Sequence, residues 1–244
     1  MKVTPLNSRY AIITGGSKGI GEAIALDLLG RHIKVISLDK ETPTNEHLRH
    51  SQDFLHMHCD LNDMDMLNSV IQKIMDQTKQ IDYLINNAAI QYEGSIESVT
   101  LSQWDEVMNV NLKVPFFLIQ NLLPLFSNDS RILNISSVHG ENPRRDKFSY
   151  DASKAGLNML TKSLALSLSE RNIKVNALAI GATRTPMNRM FEDKNGHQKA
   201  IGKIPLGRVS EPEEIARFAV SLLSKDNTYM TGSIVYFDGG RHLN

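Results

Sequence analysis

The feature that most constrains this chain is its alternation. Short runs rich in β-branched and other apolar residues are separated, from near the amino terminus to near the carboxyl terminus, by longer stretches of helical period. Strands that must be buried on both faces read this way, and the pattern predicts repeated βαβ units around a parallel sheet. Seven strands are expected: Tyr10–Thr14, Lys34–Asp39, Phe54–His58, Ile81–Asn86, Arg131–Ser136, Lys174–Ala179 and Ser233–Phe237. Helices are expected over Gly19–Leu29, Asp63–Thr78, Ser102–Leu125, Ser149–Ser169 and Glu211–Leu223, each amphipathic enough to cover a sheet face. With no repeat, linker or low-complexity tract, the 244 residues are read as a single α/β domain, 1–244.

Charge and cysteine usage narrow the function classes. Lys plus Arg and Asp plus Glu each number 27, so the basic footprint of a nucleic-acid or membrane-surface binder is missing. Cys59 is the sole cysteine, no signal peptide opens the chain, and no apolar run reaches spanning length. A cytoplasmic location with a small-molecule partner is expected. Glu211-Pro212-Glu213-Glu214 reads as a structural helix start. The alternation breaks once, at 184–203, which is expected to be an insertion over the substrate side.

Thr14-Gly15-Gly16-Ser17-Lys18-Gly19-Ile20-Gly21 links the first strand to the first helix. Glycines there let the backbone turn sharply and approach a pyrophosphate, while the helix start offers unpaired N–H donors to the anion. The Gly-x-x-x-Gly-x-Gly spacing matches the common dinucleotide fingerprint only loosely, and tight packing alone is an equal reading of the turn by itself. Asp39 ends the second strand, 18 residues after Gly21, near where a carboxylate meets the adenosine ribose. An acid there repels a 2′-phosphate and favours NAD; Lys18 and Lys40 nearby would make NADP tolerable. Asp60, after the third strand, is a candidate for the adenine amino group.

Tyr150 and Lys154 fall four residues apart at the start of a helix and so on one face. A neighbouring ammonium stabilises phenolate, and the pair is expected to act as an acid–base device with a lowered tyrosine pKa. Ser136 and Ser137 close the fifth strand, where a hydroxyl can meet a substrate oxygen. Asn111 lies inside the long helical stretch after the fourth strand, where an amide can hold a kink or a water.

These residues, in this order, resemble the short-chain dehydrogenase/reductase family across Tyr10 to Gly240. The family's Thr-Gly-x-x-x-Gly-x-Gly turn corresponds to Thr14–Gly21, and its Asn-Asn-Ala-Gly segment to Asn86-Asn87-Ala88-Ala89. The resemblance implies a doubly wound Rossmann fold with strand order 3-2-1-4-5-6-7. It also implies a catalytic set: Ser137 polarises the substrate oxygen, Tyr150 transfers the proton, Lys154 tunes the tyrosine and holds the nicotinamide ribose, and Asn111 holds a relay water. The implied cofactor contacts are Gly15, Ser17, Lys18, Gly19, Ile20 and Gly21 in the turn, then Asp39, Asp60, Leu61, Asn87 and Ala88. Tyr150, Lys154, Gly181, Thr183 and Thr185 complete them at the nicotinamide end. Ile180 and Ala89 replace the family's usual proline and glycine, both on the cofactor side. A homotetramer built on the two long central helices is also implied, with no metal; the cofactor expected from Asp39 is NAD, with NADP possible.

The stretch Val138 to Lys147 is expected to line the substrate pocket, with His139, Asn142, Arg144 and Arg145 as candidate contacts. Ser137-Val138-His139 and Gly181-Ala182-x-x-Thr185-Pro186 resemble the sugar 1-dehydrogenase branch. The expectation is therefore a sugar, polyol or sugar acid, the alternative being NADPH-linked reduction of a 3-oxoacyl carrier-protein thioester. A protein that binds the dinucleotide without turnover is a third reading. Met187, Met190 and Phe191 are candidates for an apolar lid. His56, His58, Cys59 and Asp60 do not make a metal site, because alternation turns Cys59 away from the two histidines.

Overall fold

The computed structural model describes residues 9–188, 198 and 201–243. Seven strands, β1 (Tyr10–Thr14), β2 (Lys34–Asp39), β3 (Phe54–His58), β4 (Ile81–Asn86), β5 (Phe126–Ser137), β6 (Lys174–Ile180) and β7 (Ile234–Phe237), form one sheet in the order 3-2-1-4-5-6-7. Every pairing is parallel. The order reverses between β1 and β4, so the carboxyl ends of these strands flank the crevice where such sheets bind ligands. Helices cover both faces: α1 (Gly19–Gly30), α2 (Glu46–His50), α3 (Met64–Gln77), α4 (Leu101–Met108), α5 (Val114–Leu122), α6 (Phe148–Leu168) and α7 (Pro212–Leu222).

Strand alternation divides the core in two. Ile12, Ile36, Leu38 and Leu84 pack with α3, α5 and α6 on one face. Ala11, Ile13, Val35 and Ile85 pack with α1 and α7 on the other. The Glu211 start of α7 is a cap, as expected: Glu211 and Glu214 form a reciprocal capping box.

Three elements differ from the sequence reading. The stretch 102–125 is not one α-helix, since a π-turn at Asn109–Lys113 separates α4 from α5 and a 3₁₀ turn follows at Leu123–Leu125. α2 is an added short helix, capped by the Asn45 side chain on His47 N–H. β5 begins five residues early, at Phe126, which pairs with Ile81 across a register shift. Asp129, at the positive φ of +74°, sits in that extension and accepts from the buried Lys174 ammonium at 2.8 Å. It also pairs with the buried Arg131 at 3.2 Å.

Candidate active site

The glycine turn is held by sterics and by a hydrogen-bond net from β4. A Cβ on Gly21 would lie 2.0 Å from Gly15 O and 2.5 Å from Asn87 Nδ2, so only glycine lets α1 start this close to the turn. Asn87 Nδ2 donates to Thr14 O at 3.0 Å and to Gly15 O at 2.9 Å, and Thr14 Oγ1 accepts from the Asn87 and Ala88 N–H groups. No side chain caps the start of α1, which leaves its first N–H groups for an anion. Ser17 Oγ, buried inside the turn, has no partner among the described residues. An orphaned hydroxyl, open helix donors and a backbone cradle fit a dinucleotide pyrophosphate. Thr185 leans over the same turn, its Cγ2 3.6 Å from where a Gly19 Cβ would stand.

At the adenosine end Asp39 is buried, and its carboxylate accepts from Ser17 N–H and Glu41 N–H, both at 3.0 Å. Lys18 differs from expectation: its ammonium is paired with Glu41 and no longer supplies a free charge for a 2′-phosphate. Asp60 closes a turn by accepting Asn62 N–H at 2.9 Å, and Leu61 beside it is buried. Thr183 is likewise tied inward, its hydroxyl 2.9 Å from that of Ser210, and Gly181 packs against Asp238.

The reactive groups stand at the carboxyl end of β5 and the first turns of α6. Tyr150 is buried and its hydroxyl shares a hydrogen bond with Ser137. Burial pushes the phenol up to about 12, against the sequence expectation of a lowered value, and the Ser137 bond only partly offsets this. Lys154 explains why: its ammonium donates to Ile135 O at 2.8 Å and lies 5.7 Å from the Tyr150 ring centre. It has no carboxylate partner among the described residues, and burial brings its pKa down to about 8.

Asn111 lies within the π-turn, which aims its side chain inward. Nδ2 donates to Ile90 O at 2.9 Å and Ser153 Oγ at 3.0 Å, while Oδ1 accepts Ile90 N–H at 2.9 Å. The amide thus binds the strand-4 loop to the catalytic helix and makes no bond to Lys154. Its expected kink is present; in place of a relay contact, its side chain is committed to holding backbone.

A cavity of about 420 Å³ opens beside Ser137 and Tyr150. His139, Arg144, Lys147, Lys203 and Arg241 line it, together with Gln91, Met187 and residues of the cofactor side, and no carboxylate does among the described residues. Two expected substrate contacts are corrected. Asn142 turns its amide onto His242 O at 2.9 Å, and Arg145 is exposed and does not reach the cavity. Met187 lines the cavity and its carbonyl lies 3.4 Å from Gln91 Nε2, whereas Met190 and Phe191 lie outside the described residues.

Sequence reasoning placed Lys147 in the pocket stretch but gave it no role. Its side chain is buried, the ammonium bonded to Gln91 Oε1 at 2.7 Å and Glu93 at 3.1 Å, and 5.6 Å from the Tyr150 ring centre. The available signal was its place three residues before Tyr150, in the turn that opens the catalytic helix.

Residues 15–242 match the family model described as enoyl-(acyl carrier protein) reductase. The chain belongs to the short-chain dehydrogenase/reductase family. It is similar to the 3-oxoacyl-[acyl-carrier-protein] reductase FabG of Thermotoga maritima, 34% identical over 242 residues, covering 96% of this chain and 98% of the relative. Glucose 1-dehydrogenase 2 of Bacillus subtilis is 30% identical over 248 residues, covering 98% and 96%. The solved active-site complex of Pseudomonas aeruginosa RhlG with NADP superposes with a TM-score of 0.90 at 33% identity, covering 97% of each chain. This short-chain dehydrogenase/reductase is an NAD(P)-dependent oxidoreductase acting on an alcohol/carbonyl pair. No described helix is long and apolar enough to cross a membrane, and the described residues hold no cluster arranged for a metal ion.

Proposed function

We propose that the chain interconverts 3-oxoacyl and 3-hydroxyacyl substrates with NAD(H), the substrate presenting an anionic group to Lys147. The observation that carries this reading is the buried Lys147 ammonium, held by Gln91 and Glu93 and 5.6 Å from the Tyr150 ring centre, in a cavity whose described lining includes Arg144, Lys203 and Arg241 and no carboxylate. A charge held this near the proton-transfer residue is placed to meet an anionic group on the substrate. The relatives named as 3-oxoacyl reductases support the acyl class over the sugar first expected. Asp39 at the end of β2 supports NAD over NADP, since a carboxylate there repels a 2′-phosphate and the nearby Lys18 ammonium is paired with Glu41.

The bound dinucleotide supplies or accepts the hydride. In reduction, Ser137 donates to the substrate oxygen and Tyr150 releases its phenolic proton to that oxygen as negative charge develops there. A phenol held near 12 is fully protonated at neutral pH, which suits it to this step. Lys154 and the Asn111-held backbone fix the phenol's position; Lys147 orients the substrate and Met187 shields the cavity from water.

The test is absorbance at 340 nm with NADH and NADPH against acetoacetate, acetoacetyl-coenzyme A, glucose and gluconate. NADH oxidation with an acetoacetyl compound is expected, the two forms separating a free carboxylate from a thioester phosphate as the anion. Lys147→Met should raise KM for it at least tenfold. Turnover confined to neutral sugars, or a strong NADPH preference, would overturn the reading. A second reading, oxidation of a sugar or sugar acid, is favoured by the Bacillus subtilis glucose dehydrogenase relative. A cytoplasmic homotetramer is also proposed: Met159 and Leu166 are exposed one heptad apart on α6, and Leu101 is exposed on α4. A monomer by light scattering would count against it.

A further inference from the structure

The carboxyl-terminal turn has no part in the chemistry above, yet its bonds lead into the substrate cavity. Beyond β7, Gly239 and Gly240 take φ of +63° and +85° and reverse the chain. The nearly buried Asp238 holds the reversal, accepting Gly240 N–H at 3.0 Å, His242 N–H at 2.6 Å and His242 Nδ1 at 2.8 Å. His242 stacks on Tyr236 with ring centres 4.4 Å apart, and the Tyr236 hydroxyl is bonded to Glu141.

The turn then reaches the loop after β5. His242 O accepts from Asn142 Nδ2, and Asn142 O lies 2.9 Å from His139 Nδ1. A carbonyl only accepts, so Nδ1 carries the hydrogen. Burial also pulls the His139 pKa below its ordinary value, which keeps the ring neutral at pH 7. Its lone pair is therefore on Nε2, which makes no hydrogen bond among the described residues. His139 and Arg241 both line the cavity.

We propose that the turn Arg241–Leu243 is a wall of the substrate site. Through His242 and Asn142 it fixes His139 as a hydrogen-bond acceptor, and it carries Arg241 to the same cavity. The complementary substrate has a hydroxyl or amide N–H for His139 beyond its reacting carbon, and an anionic group within reach of Arg241. The Arg241 part rests on the anionic-substrate reading; the His139 part does not.

Asn142→Ala removes the link to His242 and leaves the main-chain carbonyl of residue 142 in place. ¹⁵N NMR of histidine-labelled protein, with His139 assigned by its loss in His139→Gln, should show Nδ1–H alone in the parent and a tautomer mixture in Asn142→Ala. This readout needs no turnover, so it judges the turn even if acetoacetyl compounds prove not to be substrates. In kinetics Asn142→Ala and Arg241→Ala should each raise substrate KM at least fivefold while NADH dissociation stays within twofold. Arg241→Lys should recover most of the Arg241→Ala loss. An unchanged tautomer in Asn142→Ala, unchanged KM in both variants, or NADH affinity falling as far as KM rises, would each overturn the proposal.

Discussion

Replacing Lys154 with methionine should abolish activity and stabilise the fold at neutral pH. Lys154 is 2% exposed, and among the described residues its ammonium has no carboxylate partner and is bonded to Ile135 O alone. Burial lowers its pKa from the 10.5 of a free lysine to about 8, a displacement worth about 3 kcal/mol against the charged folded protein. Methionine has a similar length, keeps the packing and removes that penalty. Losing the bond to Ile135 O returns about 1 kcal/mol. The net expectation at pH 7 is a gain of about 2 kcal/mol.

The pH dependence fixes the sign. A lysine with a depressed folded pKa is more protonated in the unfolded chain between pH 8 and 10.5, so its contribution to stability rises with pH through that window. The parent regains there what the charge costs below pH 8, and the advantage of Lys154→Met should vanish by about pH 10.5. Urea unfolding of both proteins at pH 7 and pH 10.5, at one protein concentration because association shifts apparent stability, reads the difference directly. A variant less stable than the parent at pH 7, or a difference independent of pH, would refute the argument that an uncompensated charge is buried there.

Gly21→Ala should weaken NADH binding roughly 30-fold, about 2 kcal/mol, because the added carbon lies 2.0 Å from Gly15 O and displaces Asn87 from the turn. Fluorescence titration measures it, and an unchanged dissociation constant would show that the turn does not cradle the pyrophosphate. Asp129→Ala leaves Arg131 and Lys174 buried without their carboxylate and should cost about 3 kcal/mol in urea unfolding. Its kcat should hold, since these residues sit at the amino-terminal ends of β5 and β6, and Ser137 at the carboxyl end of β5. In the free enzyme the Tyr150 phenol, pushed up to about 12, should not ionise below about pH 11. A 295 nm difference titration against Tyr150→Phe would expose any earlier step.

The parts of the fold legible in the sequence are those set by period. Strands with both faces buried declare themselves as continuous apolar runs, and six of the seven were placed within a residue at each end. β5 was misjudged because Ser127-Asn128-Asp129-Ser130 reads as a turn: its extension depends on Ile81 as a pairing partner and on Lys174 and Arg131 as partners for Asp129. The π-turn was invisible for a related reason. Nothing in Asn109–Lys113 breaks helical period, and what widens the helix is the fit of Asn111 to Ile90 and Ser153, 21 and 42 residues away.

The same division runs through the site. Residues that act through backbone geometry or strand position, such as Gly21, Asn87 and Ser137, were readable because their spacing is fixed locally. Residues whose roles depend on a partner distant in the chain were not. Lys18 loses its expected role to Glu41, Asn142 to His242, and Lys147 gains one from Gln91 and Glu93. Around Tyr150 two buried ammonium groups lie within 6 Å of one phenol ring, yet among the described residues only Lys147 has a carboxylate against it. Lys154 is thus held in a state the fold alone disfavours, and Lys147 in one the fold supports. A charge that costs stability where it stands is retained for what it does to a bound group, whereas the Lys147 charge is held in place by Gln91 and Glu93 at the wall of the substrate cavity. Replacing the two lysines with methionine should accordingly have opposite effects on stability at pH 7, a raise at 154 and a loss at 147.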